Sequence, residues 1–437
     1  MSTKTYQALE GELTVRPSPT VSRSGGSNAV AIVGGYDADN ASSDVTAGEA
    51  TRITDPVSAE DTFGDSEIAR NAAVVSANGV SDLWGIPVAE TETTESFSGS
   101  QSLTLPNNPV FDPELHPDHD VTVTDTANAT DLTVKVVHGE TTPTPSEEDT
   151  ANLNPDLGEI ETDSSSDYDV TYTYGDYQSA IETAGDLGVR YLNVLTENAG
   201  IKATVSTVLA DIANDFDFKR AVVGATPEIE ASDIGDYSPD ESSWRIVEVA
   251  PSRATGADGP VRTQSAIAGM LASQPLGPDG SILFDNISGI SGLRTSYRAS
   301  TAKSFDSVTS ITRSGTVAQA VTTSTSNQFK NIYATEIVDE VALRLFSVAR
   351  DYAGGPQDIG DLQTLLRGVC VTASSGSPPL LGFAEDVEAD PFDINVGLGA
   401  TDGVADADIS IVPSPIAEQV NIGLTVTDGF VEFDGAE

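Results

Sequence analysis

Short apolar segments alternate with amphipathic ones along most of the chain, and this alternation restricts the fold more than any single motif does. Five short segments are rich in apolar residues and predict buried strands: residues 28–35, 81–88, 189–196, 219–226 and 243–250. Three longer segments between them carry apolar residues at helical spacing: residues 66–79, 177–188 and 201–216. Strands that are separated by helices normally pair in parallel, so we predict a layered α/β fold with a central mixed sheet flanked by helices.

The order of these segments resembles a Rossmann-like or flavodoxin-like arrangement. The predicted helix at 66–79 places Ile68, Ala72 and Val75 on one face, and Asn78-Gly79 is a typical helix stop signal. This resemblance concerns the fold alone, because such folds carry many unrelated functions. A nucleotide site therefore has to be tested on the motif that it requires.

The first predicted strand ends in paired glycines, Gly34 and Gly35, and leads into the acidic sequence "YDADN". A dinucleotide site needs the pattern G-x-G-x-x-G at the start of a helix, so that the backbone can approach the pyrophosphate. The carboxylates at 37 and 39 would repel phosphate, and the sequence contains no G-x-x-x-x-G-K-[ST] motif. The sequence therefore disfavours nucleotide binding.

Other catalytic patterns are weak. His116, His119 and Asp120 could hold a metal ion. However, two prolines, Pro113 and Pro117, and the acidic residues around them favour a solvated turn. The single cysteine, Cys370, excludes an internal disulfide and is interpreted as a core residue. No G-x-S-x-G elbow occurs, and pairs of acidic residues are too abundant to indicate acid–base chemistry. We expect no catalytic residue, no cofactor and no metal.

The charge is strongly acidic, with 68 Asp and Glu against 21 Lys and Arg and a formal net charge of −47. Self-repulsion of this size is tolerated in molar salt, where the Debye length shrinks to about 3 Å. The composition therefore indicates a halophilic source, an archaeon or a virus of one. It also disfavours direct contact with nucleic acid, and no apolar run is long enough for insertion into a membrane.

The charge is distributed unevenly. Residues 253–367 contain ten basic and ten acidic residues, so this segment is neutral and the rest of the chain carries the whole excess. Burial in a core or burial against partner subunits would each explain the neutral segment. By contrast, residues 90–170 hold a single cation, Lys135, and the alternating sequence "DVTVTDTANATDLTVKVV" predicts an exposed β insertion.

The ordered series of segments resembles the contractile tail sheath family of tailed viruses and related injection machines. The segments that carry this resemblance are "AVAIVGG" (29–35), 51–88, "YQSAIETAGDLGVRYLNVLTEN" (177–198), "KRAVVGATPEI" (219–229), 263–293, the helical segments 327–355 and 358–370, and "DADISIVPSPIAEQVNIGLTVT" (406–427). The likeness covers most of the chain outside 90–170. It is carried by the order of the segments, because no single motif is decisive and the family's "GVwkAPAn" core is not reproduced.

The resemblance implies the following division of the chain: an N-terminal arm and linker (1–28), an α/β core (29–89 and 171–252), the β insertion (90–170), an inner domain that faces the assembly (253–418) and a C-terminal strand arm (419–437). In this family the terminal arms add strands to the sheets of neighbouring subunits. The residues expected in the arms are Tyr6, Ala8, Leu13, Val15, Val420, Ile422, Leu424 and Val426. The alternative is that both segments are edge strands of their own domain.

The family also implies the partners and the location. They are other copies of the chain in a six-start helical sheath, the inner tail tube, the baseplate and the tail terminator, in a virion tail that is assembled in the host cytoplasm. A helix at about 330–352 is expected to face the tube with Lys330, Arg344 and Arg350. A core helix with solvated cations is the alternative. A sheath of a host-encoded injection system, and an α/β nucleotide- or metal-dependent enzyme, remain as alternative functions.

Overall fold

The computed structural model describes most of the chain, and the following account concerns only that part. The described residues are 4–7, 12–15, 29–107, 109–116, 119–139, 141–214, 217–226, 229, 232–275, 281–326, 329–352, 359–376, 379–382, 390–398, 405–414, 423–427 and 430–434.

An eight-stranded sheet forms the centre of the fold. Its strands are β3 (Ala29–Gly34), β4 (Thr51–Ile53), β5 (Asp82–Pro87), β12 (Tyr191–Val194), β13 (Arg220–Gly224), β14 (Ile246–Ala250), β18 (Thr309–Ile311) and β19 (Val317–Gln319). They lie in the order β19-β18-β14-β13-β12-β3-β5-β4. The six inner strands are parallel, and β4 and β19 pair antiparallel at the two edges. This is the predicted mixed sheet.

Helices cover both faces of this sheet. They are α1 (Ala59–Phe63), α2 (Glu67–Ala77), α3 (Tyr177–Asp186), α4 (Ala199–Asn214), α5 (Thr263–Ser273) and α6 (Ala299–Ala302), with a 3-10 turn at Pro56–Ser58. Successive side chains of a strand point to opposite faces. In β3, Val30 and Ile32 pack in the same apolar cluster as α2 and α5, whereas Ala31 and Val33 pack in the cluster that contains α3 and α4. The alternation in the sequence thus produces three layers.

A second sheet follows β5 and returns the chain to α3. Its strands are β6 (Ala89–Thr104), β7 (Thr122–Asp125), β8 (Thr130–Asp131), β9 (Thr133–Val136), β10 (Thr150–Asn154) and β11 (Glu159–Asp176). The two long strands, β6 and β11, pair antiparallel as a ribbon. This sheet has its own apolar cluster, which includes Leu103, Leu153, Ile160 and Val170. The acidic segment predicted as an insertion lies in this sheet.

The last part of the chain packs two helices on a strand pair. The elements are α7 (Ile332–Tyr352), α8 (Ile359–Ser374), β20 (Phe392–Leu398) and β21 (Ala405–Ile411). They share an apolar cluster that includes Val341, Leu366 and Phe392, together with Cys370, the predicted core cysteine. Among the described helices, none combines the length and the apolar character that a helix needs to span a bilayer.

The structure divides the chain differently from the predicted boundary at residue 253. The three-stranded sheet of β15 (Arg253–Thr255), β16 (Pro260–Arg262) and β17 (Gly292–Leu293) leads directly into α5, which is buried along nearly its whole length against the central sheet. Strands β18 and β19 belong to the central sheet as well. The sequence "TQSAIAGMLAS" is free of charge and apolar on most sides, which suits a helix that is covered all round. Helix α5 and strands β18 and β19 therefore belong to the core.

Each terminal segment forms a hairpin where the sequence predicted a single strand. At the N-terminus β1 (Lys4–Gln7) pairs with β2 (Glu12–Val15), with Tyr6 opposite Leu13. At the C-terminus β22 (Gly423–Thr427), which holds Leu424 and Val426, pairs with β23 (Phe430–Asp434). Folding back satisfies backbone hydrogen bonds that an isolated strand leaves unpaired. Ala8, Val420 and Ile422 lie outside the described residues.

Candidate functional site: a buried charge network and an apolar groove

The carboxyl ends of β3 and β12 mark the point where the strand order of the sheet reverses. In α/β folds of this topology, ligands bind in the crevice at this point. Here Gly34 ends β3, Gly35 follows it, and residues of the segment between β6 and β7 fill the crevice. A side chain added at Gly35 would place its Cβ 2.7 Å from Nδ1 of His116 and 3.0 Å from a ring carbon of Phe111. The paired glycines thus admit a histidine and a phenylalanine of the same chain.

Substitution of Gly35 tests this packing. We expect Gly35→Ala to lower the free energy of unfolding by about 1–3 kcal/mol, the usual cost of forcing atoms into a packed core. Gly188→Ala is the matched control, because nothing lies within 4 Å of the Cβ position there. Urea unfolding of both variants at constant high salt gives the comparison. Equal stabilities of the two variants would contradict the close packing at Gly35.

Below the crevice lies a buried network of two arginines and several carboxylates, which we call the edge network. Arg262 pairs with both Glu67 and Glu197. Arg253 pairs with Glu197 at 3.2 Å and also with Asp112. All five of these side chains are buried. The network joins the start of α2, the loop after β12, the strands β15 and β16, and the second sheet.

The charges in the edge network stabilise one another. Burial alone would raise the pKa of Glu67, but Arg262 and His116 beside it lower that pKa to about 2. Burial likewise opposes ionisation of Glu197, whereas Arg253 and Arg262 lower its pKa to about 2. Burial would lower the pKa of Arg262, and the two glutamates instead raise it well above its usual value. The ionised network is therefore the stable form over the whole neutral and mildly acidic range.

The three histidines each face a carboxylate, and the structure does not bring His116, His119 and Asp120 together as one ligand set. The Nε2 atom of His116 lies 3.2 Å from Oε2 of Glu67, and Nε2 of His119 lies 3.2 Å from Oε2 of Glu90. Asp120 is exposed. His116 thus holds the segment after β6 against α2 of the core, and His119 holds the same segment against β6, in place of the solvated turn that the sequence favoured.

A different group has donor atoms close enough to surround a metal ion. One ligand atom from each of Asp112, Glu114 and His138 lies within 4.8 Å of the others. However, Nη1 of Arg253 lies 2.8 Å from Nε2 of His138 and also contacts Asp112. A guanidinium group thus holds the place of a cation there, and these residues fit a structural ion network better than a metal site.

A second buried network, the α7 clamp, attaches α7 to the central sheet. Asp339 lies 2.6 Å from Nη2 of Arg220 and 3.2 Å from Nη2 of Arg245, and all three side chains are buried. One turn earlier, Glu336 lies 3.1 Å from Arg190. Burial raises the pKa of Glu336 to about 7, and Arg190 opposes this rise only in part. The clamp fixes the position of the long helix relative to the core.

An apolar groove of about 470 Å³ lies between α4, α7, α8 and β21. Its walls include the rings of Phe218, Trp244 and Phe346 and the side chains of Leu345 and Ile409. The N-terminal hairpin approaches the same elements, since β1 lies beside β21 and β2 lies beside α4. The groove and the N-terminal segment are thus neighbours within one chain.

The predicted tube-facing cations lie on or next to α7, a helix that is buried mainly in its first half. Lys330 precedes the helix and pairs with Asp306. Arg344 is exposed and pairs with Glu340 at 2.7 Å, one helical turn away. Arg350 lies in the helix, and its side chain lies outside the described part of the structure. Contact with a tube remains a prediction.

Comparison with solved structures finds other chains with the same fold. No protein-family model and no curated protein matches the sequence. Among solved structures, a chain of the anti-feeding prophage (AFP) baseplate aligns over 96% of this chain and 99% of its own, with 11% identity and a TM-score of 0.56. A chain of the AFP helical sheath in the contracted state gives the same coverages and identity and a TM-score of 0.53.

A third structure agrees with these two. The contracted sheath complex of PVC, an extracellular contractile injection system, aligns over 92% of both chains with 11% identity and a TM-score of 0.51. The alignments span nearly the whole chain, so they concern the complete order of layers and not the central sheet alone. The predicted likeness to contractile tail sheath proteins is thereby confirmed at the level of the fold, and the chain has the fold that these sheath structures share.

Proposed function

We propose that this chain is a structural subunit of a contractile sheath, which polymerises around an inner tail tube and contracts to drive that tube through a host cell envelope. The observation that carries the proposal is the alignment over 96% of the chain with a subunit of a helical sheath in the contracted state. The filled crevice at the carboxyl edge supports a structural role over an enzymatic one, because protein side chains occupy the place where an α/β enzyme binds its substrate.

The mechanism follows from how identical subunits assemble. Head-to-tail contacts whose rotation does not close generate a helix, and six such strands around a tube make a sheath. In the proposed cycle the extended sheath is metastable, and contraction replaces weaker contacts between subunits with more extensive ones. The edge network and the α7 clamp support movement of each subunit as a rigid body, because breaking either one exposes unpaired buried charge. No nucleotide is consumed at the moment of contraction.

The arms are proposed to connect the subunits while they rotate. The N-terminal hairpin is joined to the core by residues 16–28, a linker sequence with two prolines and two glycines. A strand that adds to a neighbour's sheet contributes main-chain hydrogen bonds, which do not depend on the angle between the bodies of the two subunits. In the assembly we propose that the N-terminal segment of a neighbouring copy takes the place beside β21 and α4 that the chain's own hairpin holds in the single subunit.

The remaining partners and the setting complete the proposal. The sheath would contact a tube protein through the part of the chain that contains Lys330, Arg344 and Arg350, and would end on a baseplate and on a terminator. The net charge of −47 supports a host that grows at high salt, and a virion tail assembled in its cytoplasm is the setting that we propose. An extracellular injection system is the second candidate, and the likeness to the PVC sheath favours it.

Electron microscopy of the purified chain tests the function. Negative-stain images of the protein at molar salt are expected to show hollow tubes of uniform width. A chain that stays monomeric at every salt and protein concentration would overturn the proposal. Calorimetry with nucleotides at the same salt concentration would then be the next measurement, because nucleotide binding would indicate the alternative of an α/β enzyme.

A further inference from the structure

One exposed region of this acidic chain carries more cations than carboxylates. Its exposed carboxylates are Asp285 and Asp306, and Asp306 already pairs with Lys330. Arg298, Lys303 and Arg313 are all exposed, and none of them makes an ion pair with another of the residues that the structure describes. The ring of Phe284 is 52% exposed and lies 5.2 Å from Nζ of Lys303. We call these four residues the basic patch. An exposed aromatic ring among cations, on a chain with a net charge of −47, is the feature that requires an explanation.

The backbone holds the members of the patch together. The residue before Arg298 accepts a hydrogen bond of 2.8 Å from the backbone N–H of Arg313. Arg298 precedes α6 and Lys303 follows it, so one short helix separates these two cations. The N–H of Phe284 donates to the carbonyl of Val317, the first residue of β19. The patch therefore lies at the β19 edge of the central sheet.

The opposite edge of the same sheet is acidic. The segments that flank the edge strand β4 contain exposed Asp44, Glu49, Glu60 and Asp61. Arg52, the one cation in the sequence between residues 44 and 61, already pairs with Asp82 at 3.0 Å. We call the four acidic residues the acidic edge. Across eight strands, the two edges lie roughly 35 Å apart, at about 4.8 Å between neighbouring strands.

A helical polymer needs two different surfaces that fit each other on opposite sides of the subunit. From the opposite signs of the two edges, we infer that the basic patch binds the acidic edge of a second copy of this chain. This inference rests on the proposed function and locates one head-to-tail contact of the sheath. The acidic second sheet of a neighbour is the competing occupant, and the experiment below separates the two.

High salt is compatible with this contact. At about 1 M salt the Debye length is about 3 Å, so repulsion between distant acidic groups is screened while directly apposed ion pairs keep much of their attraction. Packing of the Phe284 ring adds an apolar contribution that salt does not weaken. Salt would thus favour assembly by removing the long-range repulsion between copies and leaving the contact itself in place.

Charge reversal in the full-length chain tests the inference. The patch variant carries Arg298→Glu and Arg313→Glu, and the edge variant carries Glu60→Arg and Asp61→Arg. Sedimentation velocity at molar salt measures self-association, and circular dichroism checks the fold. We expect each variant alone to require at least about tenfold more protein than the wild type before it assembles, because like charges then face each other. An equimolar mixture of the two variants is expected to assemble.

The control variant carries Lys135→Glu and Arg367→Glu, which changes the net charge by the same amount as the patch variant at exposed cations on β9 and α8, outside the patch. It is expected to assemble like the wild type. Three results would each overturn the inference. They are normal assembly of the patch variant, a loss of assembly in the control equal to that in the patch variant, and normal assembly of the edge variant alone. The last result would indicate the second sheet as the occupant. A wild-type chain that never associates would overturn the proposed function together with this inference.

Discussion

Replacing Arg262 with leucine is expected to lower the free energy of unfolding by about 3–5 kcal/mol, because the change removes the main cation of buried Glu67 and one of the two arginines that pair with buried Glu197. Arg262 contacts both Glu67 and Glu197, and each carboxylate is almost fully buried. The lost energy is chiefly the cost of keeping an uncompensated charge away from water. Urea unfolding at constant molar salt, followed by circular dichroism, measures the effect.

Arg344→Leu is the control for this variant. It removes an arginine of an exposed ion pair one helical turn from Glu340, and such pairs contribute about 0.3–0.5 kcal/mol. The pH dependence provides a second check. The folded-state pKa values of Glu67 and Glu197 are about 2, against an ordinary value of 4.5, so their contribution is present above pH 4.5 and is lost as the pH falls toward 2. The difference in the free energy of unfolding between the wild type and Arg262→Leu should therefore shrink as the pH falls from 4.5 toward 2. A difference that stays constant would contradict this account of the edge network.

Replacing Asp339 with alanine is expected to have an effect of similar size. Asp339 is the shared partner of Arg220 and Arg245, so its removal leaves two guanidinium groups facing each other in a buried site. The expected loss in the free energy of unfolding is about 3–5 kcal/mol. Because the clamp joins α7 to the central sheet, protection of the α7 amides against hydrogen exchange is expected to fall as well.

Glu340→Gln, on the next residue of the same helix, serves as the control. Within the described part of the chain its carboxylate pairs with Arg344 alone, at i,i+4 spacing, so a change within about 0.5 kcal/mol is expected. If Asp339→Ala and Glu340→Gln unfold at the same urea concentration, then the clamp does not fix α7. An unfolding transition that splits into two steps in Asp339→Ala alone would instead show that α7 and α8 have separated from the core as a unit.

The layers of the fold were predictable from the sequence because their signals are local. Each of the five predicted strands is present, and helix α2 ends at Ala77, just before the predicted stop signal at Asn78-Gly79. Strand length, apolar content and capping residues act within a few neighbours along the chain. The place of β18 in the central sheet depends on its pairing with β14, which lies far earlier in the chain, and no local pattern encodes it. The terminal hairpins pair segments that are close in sequence, but an alternating apolar pattern is the same for one long strand and for two paired short ones.

The charge networks were not predictable for the same reason. Glu67 lies next to Ile68 on the amphipathic helix α2, and its place in the sequence resembles that of an ordinary acidic first-turn residue. It is buried because Arg262, almost two hundred residues later, ends a strand directly beside it. A faint signal does exist, since Arg253 and Arg262 begin the neutral segment of a very acidic chain. That segment proves to combine buried core elements with the exposed basic patch.

Cryo-electron microscopy of the tubes formed by the purified chain at molar salt tests the central claim most directly. Helical reconstruction is expected to give a hollow six-start tube whose wall consists of copies with the fold described above. Density for residues 4–15 is expected beside α4 and β21 of a neighbouring copy, in exchange for the position beside α4 and β21 of their own chain. Three results would contradict the claim that this chain forms a contractile sheath. They are isolated monomers, closed rings, and a filament without a central channel whose subunits meet through other surfaces.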